Sequence, residues 1–212
     1  MIELPDFLNR FTTIPFLLDL MIEKRLTLLN PDKWEDYNDR VTMDLYKKKK
    51  EAKSIYALCL TSKRETIHHW SAFAPGTSGC CIEFDYFKLV NQINSFPGLS
   101  HATTQYVKLN DLKKLPGNIE ILPYLKRQAF ETEQEYRLVV VSSKPQEASI
   151  DIPISLKCIN RITFTNKLTE SVVDSLKQAI NLVAPEYKGR LVRSTLFNNS
   201  RWSNHFSKQN GS

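Results

Sequence analysis

Glycine is scarce in this chain. Six glycines beside ten prolines in 212 residues leave no Gly-rich linker, no low-complexity tract and no internal repeat, so one compact domain over residues 1–206 is expected. Residues 207–212 read as a tail or an expression remnant. No apolar run approaches the roughly 18 residues of a membrane span, and "MIELPDFLNRF" lacks the basic, apolar and small-residue succession of a secretory signal. A cytoplasmic protein without a membrane partner is the expectation; nothing in the sequence bears on oligomeric state. The four cysteines (Cys59, Cys80, Cys81, Cys158) show no C-x-x-C or Cys/His zinc spacing and sit in apolar, strand-like runs, so they are expected as buried reduced thiols. Absence of a G-x-S-x-G elbow, a P-loop, a Rossmann glycine fingerprint and an H-E-x-x-H pair removes the common hydrolase, NTPase, dehydrogenase and zincin readings.

What is present is ordinary for a globular protein: 42% hydrophobic, 25% charged and 10% aromatic residues. The net charge of +6 is mildly basic, and part of it lies in the run Lys47 to Lys50, read as a solvated helix face or as a patch attracting phosphate. "TTIPFLLDLMIEK" and "TESVVDSLKQAINLV" carry the threonine starts and apolar spacing of helices, the second with Val172, Val173, Leu176, Ile180 and Val183 as its buried stripe. "DRVTMDLYKKKKEAK", "RETIHHWSAFA", "YFKLVNQIN" and "ILPYLKRQAF" are predicted helices. "FLNRF", "RLTLL", "SIYALCLTS", "GCCIEFD", "TTQYVKL", "YRLVVVSS", "ASIDIPI", "CINRITFT" and "GRLVRSTL" are predicted strands. Without a regular βαβ rhythm the fold class is α+β, a mixed and mostly antiparallel sheet with flanking helices.

Four groups of residues carry candidate chemistry. In "ETEQEYR", Glu131, Glu133 and Glu135 would share one face of an extended segment; like charges so close raise one another's pKa unless a cation sits among them. Arg137 and Lys126 are the natural counter-charges. Trp70 and Phe73, three apart, form a core wedge or a wall that stacks on a planar ring. Adjacent His68 and His69 cannot make the i, i+4 pair of a helical zinc site. Trp34, Asp36 and Asp39 lack EF-hand spacing and read as a turn capping the next helix. Arg10 and Arg193, each near Ser or Thr in a strand, are salt-bridge partners or anion clamps.

Taken in order, "LNRFTT", "LTLLNPDKWEDYND", "HHWSAFAPGTSGCCIEFD" and the "E-x-E-Y-R-L" of Glu133 to Leu138 resemble the bacterial and phage family called domain of unknown function 2971. This chain departs from that pattern at Phe73, where Tyr is usual, at Glu35 and Tyr37 beside Asp36, and at Phe130 in place of Trp. A strand with Arg10, then an aromatic-bearing helix, then a Glu ahead of a late strand also looks like the ADP-ribosyltransferase architecture, especially its DNA-targeting toxin branch. That resemblance implies NAD as substrate. Arg10 would hold its ribose or phosphate, Trp70 or Phe73 would stack on nicotinamide, Glu135 would be catalytic and Glu133 would serve the acceptor. Arg10, Arg137 or Arg193 would receive the pyrophosphate.

Three functional readings follow. One is an NAD-consuming transferase or glycohydrolase, in a toxin or phage-defence role, acting on nucleic acid or protein. The second is a nucleic-acid-binding or metal-dependent nuclease-like protein. The third is a regulatory module without catalysis.

Overall fold

Apolar strand runs gather into one nine-stranded sheet, and different helices cover its two faces. The computed structural model describes residues 4–207. Of the tail expected at 207–212, all but Ser207 lies outside the described residues. The elements are β1 (Phe7–Thr13), α1 (Ile14–Glu23), β2 (Arg25–Leu29), α2 (Tyr37–Lys49), β3 (Ser54–Thr61), α3 (Ile67–Phe73), β4 (Gly79–Asp85), α4 (Tyr86–Ile93) and β5 (Leu99–Thr103). There follow β6 (Gln105–Val107), β7 (Leu125–Arg127), β8 (Glu135–Ser142), β9 (Ser149–Pro153), β10 (Ile159–Phe164), α5 (Glu170–Val183), β11 (Arg190–Arg193) and α6 (Ser200–Ser207). The architecture is the expected α+β: within the large sheet only β10 and β11 pair in parallel, and β6 and β7 make a separate two-stranded parallel ribbon.

Strand β3 organises the sheet. One of its edges pairs along its whole length with β8, which continues to β5. Its other edge is divided, meeting β1 at Asn9↔Thr61 and β2 at Leu29↔Ala57. The period of two in a strand then sorts side chains by face. Tyr136, Leu138 and Val140 of β8 join Tyr56, Leu58 and Leu60 of β3 in the main core, under Leu17, Leu20 and Met21 of α1, Leu89 and Ile93 of α4, and Val173 and Ile180 of α5. On the opposite face Met43 and Tyr46 of α2 cover Ile55, Ala57 and Val139. Trp70 of α3 covers Cys81 and Phe11. Between those two small clusters the second face stays open, and the open patch is the cleft described below.

Several expectations change. "ILPYLKRQAF" is no helix: Ile119–Tyr124 and Gln128–Glu133 are 3-10 turns on either side of β7, because Pro123 deprives the second turn of a donor. In α5 the buried stripe narrows to Val173 and Ile180, with Leu176 partly packed, while Val172 and Val183 are exposed. Cys59 is exposed where a buried thiol was expected. The Lys47 to Lys50 run is partly balanced, since Lys47 and Lys48 share Asp44 and Lys50 pairs with Glu120, and it sits at the helix C-terminus, where cations are favoured.

Candidate active site

Antiparallel register places Asn9 of β1, Thr61 of β3 and Glu135 of β8 in one row across three neighbouring strands. All three therefore project from the same face, as do the residues two further along each strand: Cys59 and Arg137, which pair in register, and Phe11 on β1. This face floors a cleft of about 450 Å³. Trp34, Glu35, Asp36 and Asp39 form one wall, from the segment that enters α2. His69, Ala72 and Phe73 of α3 form another, and Lys126, Phe130 and Glu133 close the third side.

Arg137 anchors the site from beneath. It is fully buried, and a buried charge is tolerated only when paired and hydrogen-bonded. Its Nη2 donates to Asp39 Oδ2 at 2.7 Å and to Glu135 Oε2 at 2.8 Å, its Nη1 donates to the Pro123 carbonyl at 3.0 Å, and its guanidinium lies 5.4 Å from the Trp34 ring. Lys126 holds the acids from the cleft side: its Nζ is 2.6 Å from Glu133, 3.3 Å from Glu135 and 3.6 Å from Asp39, and 4.8 Å over the Phe130 ring. Three carboxylates thus share two cations.

The carboxyls are poised differently. Burial works to raise the Glu135 pKa, but Arg137, Lys126 and a hydrogen bond from the Cys59 thiol outweigh it, so the carboxyl is held below its ordinary value. Burial pushes Glu133 above its ordinary value, and Lys126 offsets only part of that. The Cys59 thiol opens into the cleft, yet confinement among protein atoms and the neighbouring Glu135 push its pKa well up, so it stays a protonated donor rather than a nucleophile. His69 is buried: its Nε2 donates to the Glu133 carbonyl (3.1 Å), its Nδ1 accepts from Thr66 (2.6 Å), and its ring stacks on Phe11. The Glu135 backbone is pinned as well, its N–H donating to the Tyr106 hydroxyl at 2.8 Å and its carbonyl accepting from Thr104 N–H at 2.8 Å.

Glu133, Glu135 and Phe73 are brought to the cleft, with Arg137 directly behind it. The two glutamates do not share an extended segment as expected. Glu133 ends a 3-10 turn, Gln134 takes a left-handed conformation (φ 44°), and strand β8 begins only at Glu135; what unites the two acids is Lys126. Glu131 is exposed. Arg137 is fully buried, with both terminal nitrogens bound to Asp39, Glu135 and the Pro123 carbonyl, so it is out of reach of a pyrophosphate. Arg10 projects from the opposite face of β1, toward Asp19 and Cys80. Trp70 lies behind Phe11, its indole N–H donating to Glu65. Arg193 is on the outermost strand, paired in register with core residue Phe164 and donating to the Asn166 carbonyl.

No protein-family model matches the chain, so the resemblance to domain of unknown function 2971 gains no support there; no curated protein matches it either. Among solved structures the chain is similar to a Thermus sp. 2.9 DarT in complex with NAD+, at 10% identity over 91% of this chain and 96% of that one, with a TM-score of 0.44. It is likewise similar to Thermus sp. 2.9 DarT in complex with ADP-ribosylated ssDNA, at 11% identity over 91% and 95%, with a TM-score of 0.45.

Asn9, Phe11 and Cys59 were not singled out as site residues from sequence, and His69 and Asp39 were weighed there only as a zinc ligand and as part of a capping turn. Alternation along β1 and β3 offers the one usable signal. Once Leu8 and Leu60 face the core, Asn9, Phe11, Cys59 and Thr61 must face the other way. No group of three or more His, Cys, Asp or Glu among the described residues is arranged to hold a metal ion; the Lys126 ammonium occupies the space between the three carboxylates.

Proposed function

We propose that the cleft accepts the nicotinamide-ribose end of NAD and breaks its N-glycosidic bond, as an ADP-ribosyltransferase-like enzyme or NAD glycohydrolase. The observation that carries this reading is an ionised Glu135 on the floor of an acid-lined, aromatic-walled cleft. Five carboxylates line it (Glu35, Asp36, Asp39, Glu133, Glu135) against two cations, Lys126 in the wall and Arg137 beneath the floor. Trp34, Phe73 and Phe130 offer ring faces. Such a site suits a flat cation, and the pyridinium of NAD is one.

Bond cleavage sends the electron pair to the ring nitrogen and moves positive charge onto the ribose. A carboxylate held ionised in a low-dielectric cleft stabilises that charge as it develops; this is the role of Glu135. The incoming water or acceptor hydroxyl attacks the ribose carbon and gives up a proton, for which Glu133 is the base. A raised pKa makes it the better proton acceptor of the two. Lys126 bridges both carboxylates and favours the ionised form of each, while Arg137, which touches Glu135 alone of the two, makes Glu135 the less basic. Phe73 provides the stacking surface.

The protein incubated with NAD should release nicotinamide, and Glu135→Gln should slow that release by about 10²-fold or more. Phe73→Ala, at a side chain 44% exposed, should keep the fold and weaken the rise in melting temperature that NAD produces. Absence of both nicotinamide release and any NAD-dependent rise in melting temperature in the unaltered protein would overturn the proposal.

A further inference from the structure

Asn9 is buried on the cleft floor, 2% exposed. Its Nδ2 donates to the Lys63 carbonyl at 2.7 Å. A carbonyl can only accept, so the amide orientation is settled, and Oδ1 is left as a buried acceptor with no partner. The other buried side-chain atoms without partners among the described residues belong to residues that do not line the cleft. Buried acceptors are ordinarily satisfied, and an orphan in a binding cleft is the mark of a contact awaiting a ligand donor. Nearby protein donors are spent: the Thr61 hydroxyl donates to the Glu133 carbonyl, and the Cys59 thiol is engaged with Glu135.

Position selects the donor. Asn9 and Glu135 stand in one register row with Thr61 between them, so their Cα atoms are two strand spacings apart, roughly 10 Å. Both side chains leave the same face of the sheet, so a pyridine ring and its ribose laid across the row above Thr61 would meet one at each end. With Glu135 at the ribose, the far edge of the ring comes to Asn9, and on nicotinamide that edge carries a carboxamide with two N–H donors. We infer that Asn9 is a specificity-determining residue whose Oδ1 accepts an N–H of the nicotinamide carboxamide, so that the cleft selects the amide over rings that lack the donor. This inference rests on the NAD reading above. The acid-lined walls act in the same sense, since they repel the carboxylate of a nicotinate ring.

The test is a titration of the full chain with NAD and with its 3-acetylpyridine analogue, in which a methyl group replaces the amide –NH₂ at nearly constant shape, followed by tryptophan fluorescence. The analogue should bind at least about 10-fold more weakly, because it leaves a buried acceptor unpaired. Asn9→Leu, similar in size and without the acceptor, should bind the two ligands alike. Equal affinity of the unaltered protein for both ligands, or discrimination that survives in Asn9→Leu, overturns the inference and leaves the NAD reading standing. Binding of neither ligand removes the NAD reading and this inference with it. If Asn9→Leu fails to fold for want of its tether to Lys63, the comparison of ligands on the unaltered protein decides, since it changes nothing in the chain.

Discussion

Arg137 is the side chain on which the site depends. Its guanidinium is out of water and joins α2 to β8 through Asp39 and Glu135. Asp39 contributes no apolar area to the core, yet its loss would strand the guanidinium with half its charge partners gone. Asp39→Ala should lower the unfolding free energy by about 3–5 kcal/mol, the usual cost of breaking a buried pair from one side, measured by urea denaturation. Arg137→Met paired with Asp39→Asn should recover part of that loss, because removing both partners avoids the uncompensated charge; no recovery would mean that packing rather than charge pairing dominates there. From sequence, the pairing of Arg137 with Glu135 was legible because residues two apart on a strand share a face. Asp39 was not, since 98 positions separate it from Arg137 and a capping turn explains an Asp there equally well.

At the level of elements, the register of β8 between β3 and β5 decides what reaches the cleft. A slip of one residue would send Glu135 and Arg137 into the main core and Tyr136 and Leu138 into the cleft. Gly98 guards that register. It takes φ +74° just before β5, and a Cβ there would lie 2.2 Å from the Val141 carbonyl oxygen, which also faces the backbone pairing of this edge, where Val141 N–H donates to the Gly98 carbonyl. Gly98→Ala should therefore cost at least about 2 kcal/mol, combining the left-handed penalty with a backbone clash, and amide exchange should quicken first along β5 and the end of β8. Exchange that accelerates uniformly through the sheet would contradict a local role.

For the whole molecule, acid should be the weak side. Glu135 ionises more easily folded than its ordinary value of 4.5, as do the paired surface acids Asp44, Asp85 and Glu120. A depressed carboxyl pKa contributes stability that is complete above the unfolded value and is lost as pH falls through the folded one. The urea midpoint should thus drop below pH 4.5, and less steeply in Glu135→Gln. Glu133 has the opposite sign, its raised pKa costing stability as pH climbs above 4.5. If it is the base of the proposed reaction, the acid limb of nicotinamide release should lie above that value. No helix among the described residues is long and apolar enough to cross a membrane.

Local pattern determined most of the elements, because apolar period and capping residues act over a few positions. "RLTLL" and "GCCIEFD" are strands β2 and β4 to the residue, and the strongest helix is α5. It failed where a proline and short 3-10 turns break the period, between Ile119 and Glu133. Composition and motif determined which acids to watch. Tertiary structure alone decided which arginines matter, burying Arg137 under the cleft and turning Arg10 and Arg193 away, because a strand has two faces and only long-range pairing says which one is covered. The same pairing left a gap between the α2 and α3 clusters, and so made Asn9, Cys59 and Lys126 parts of one site.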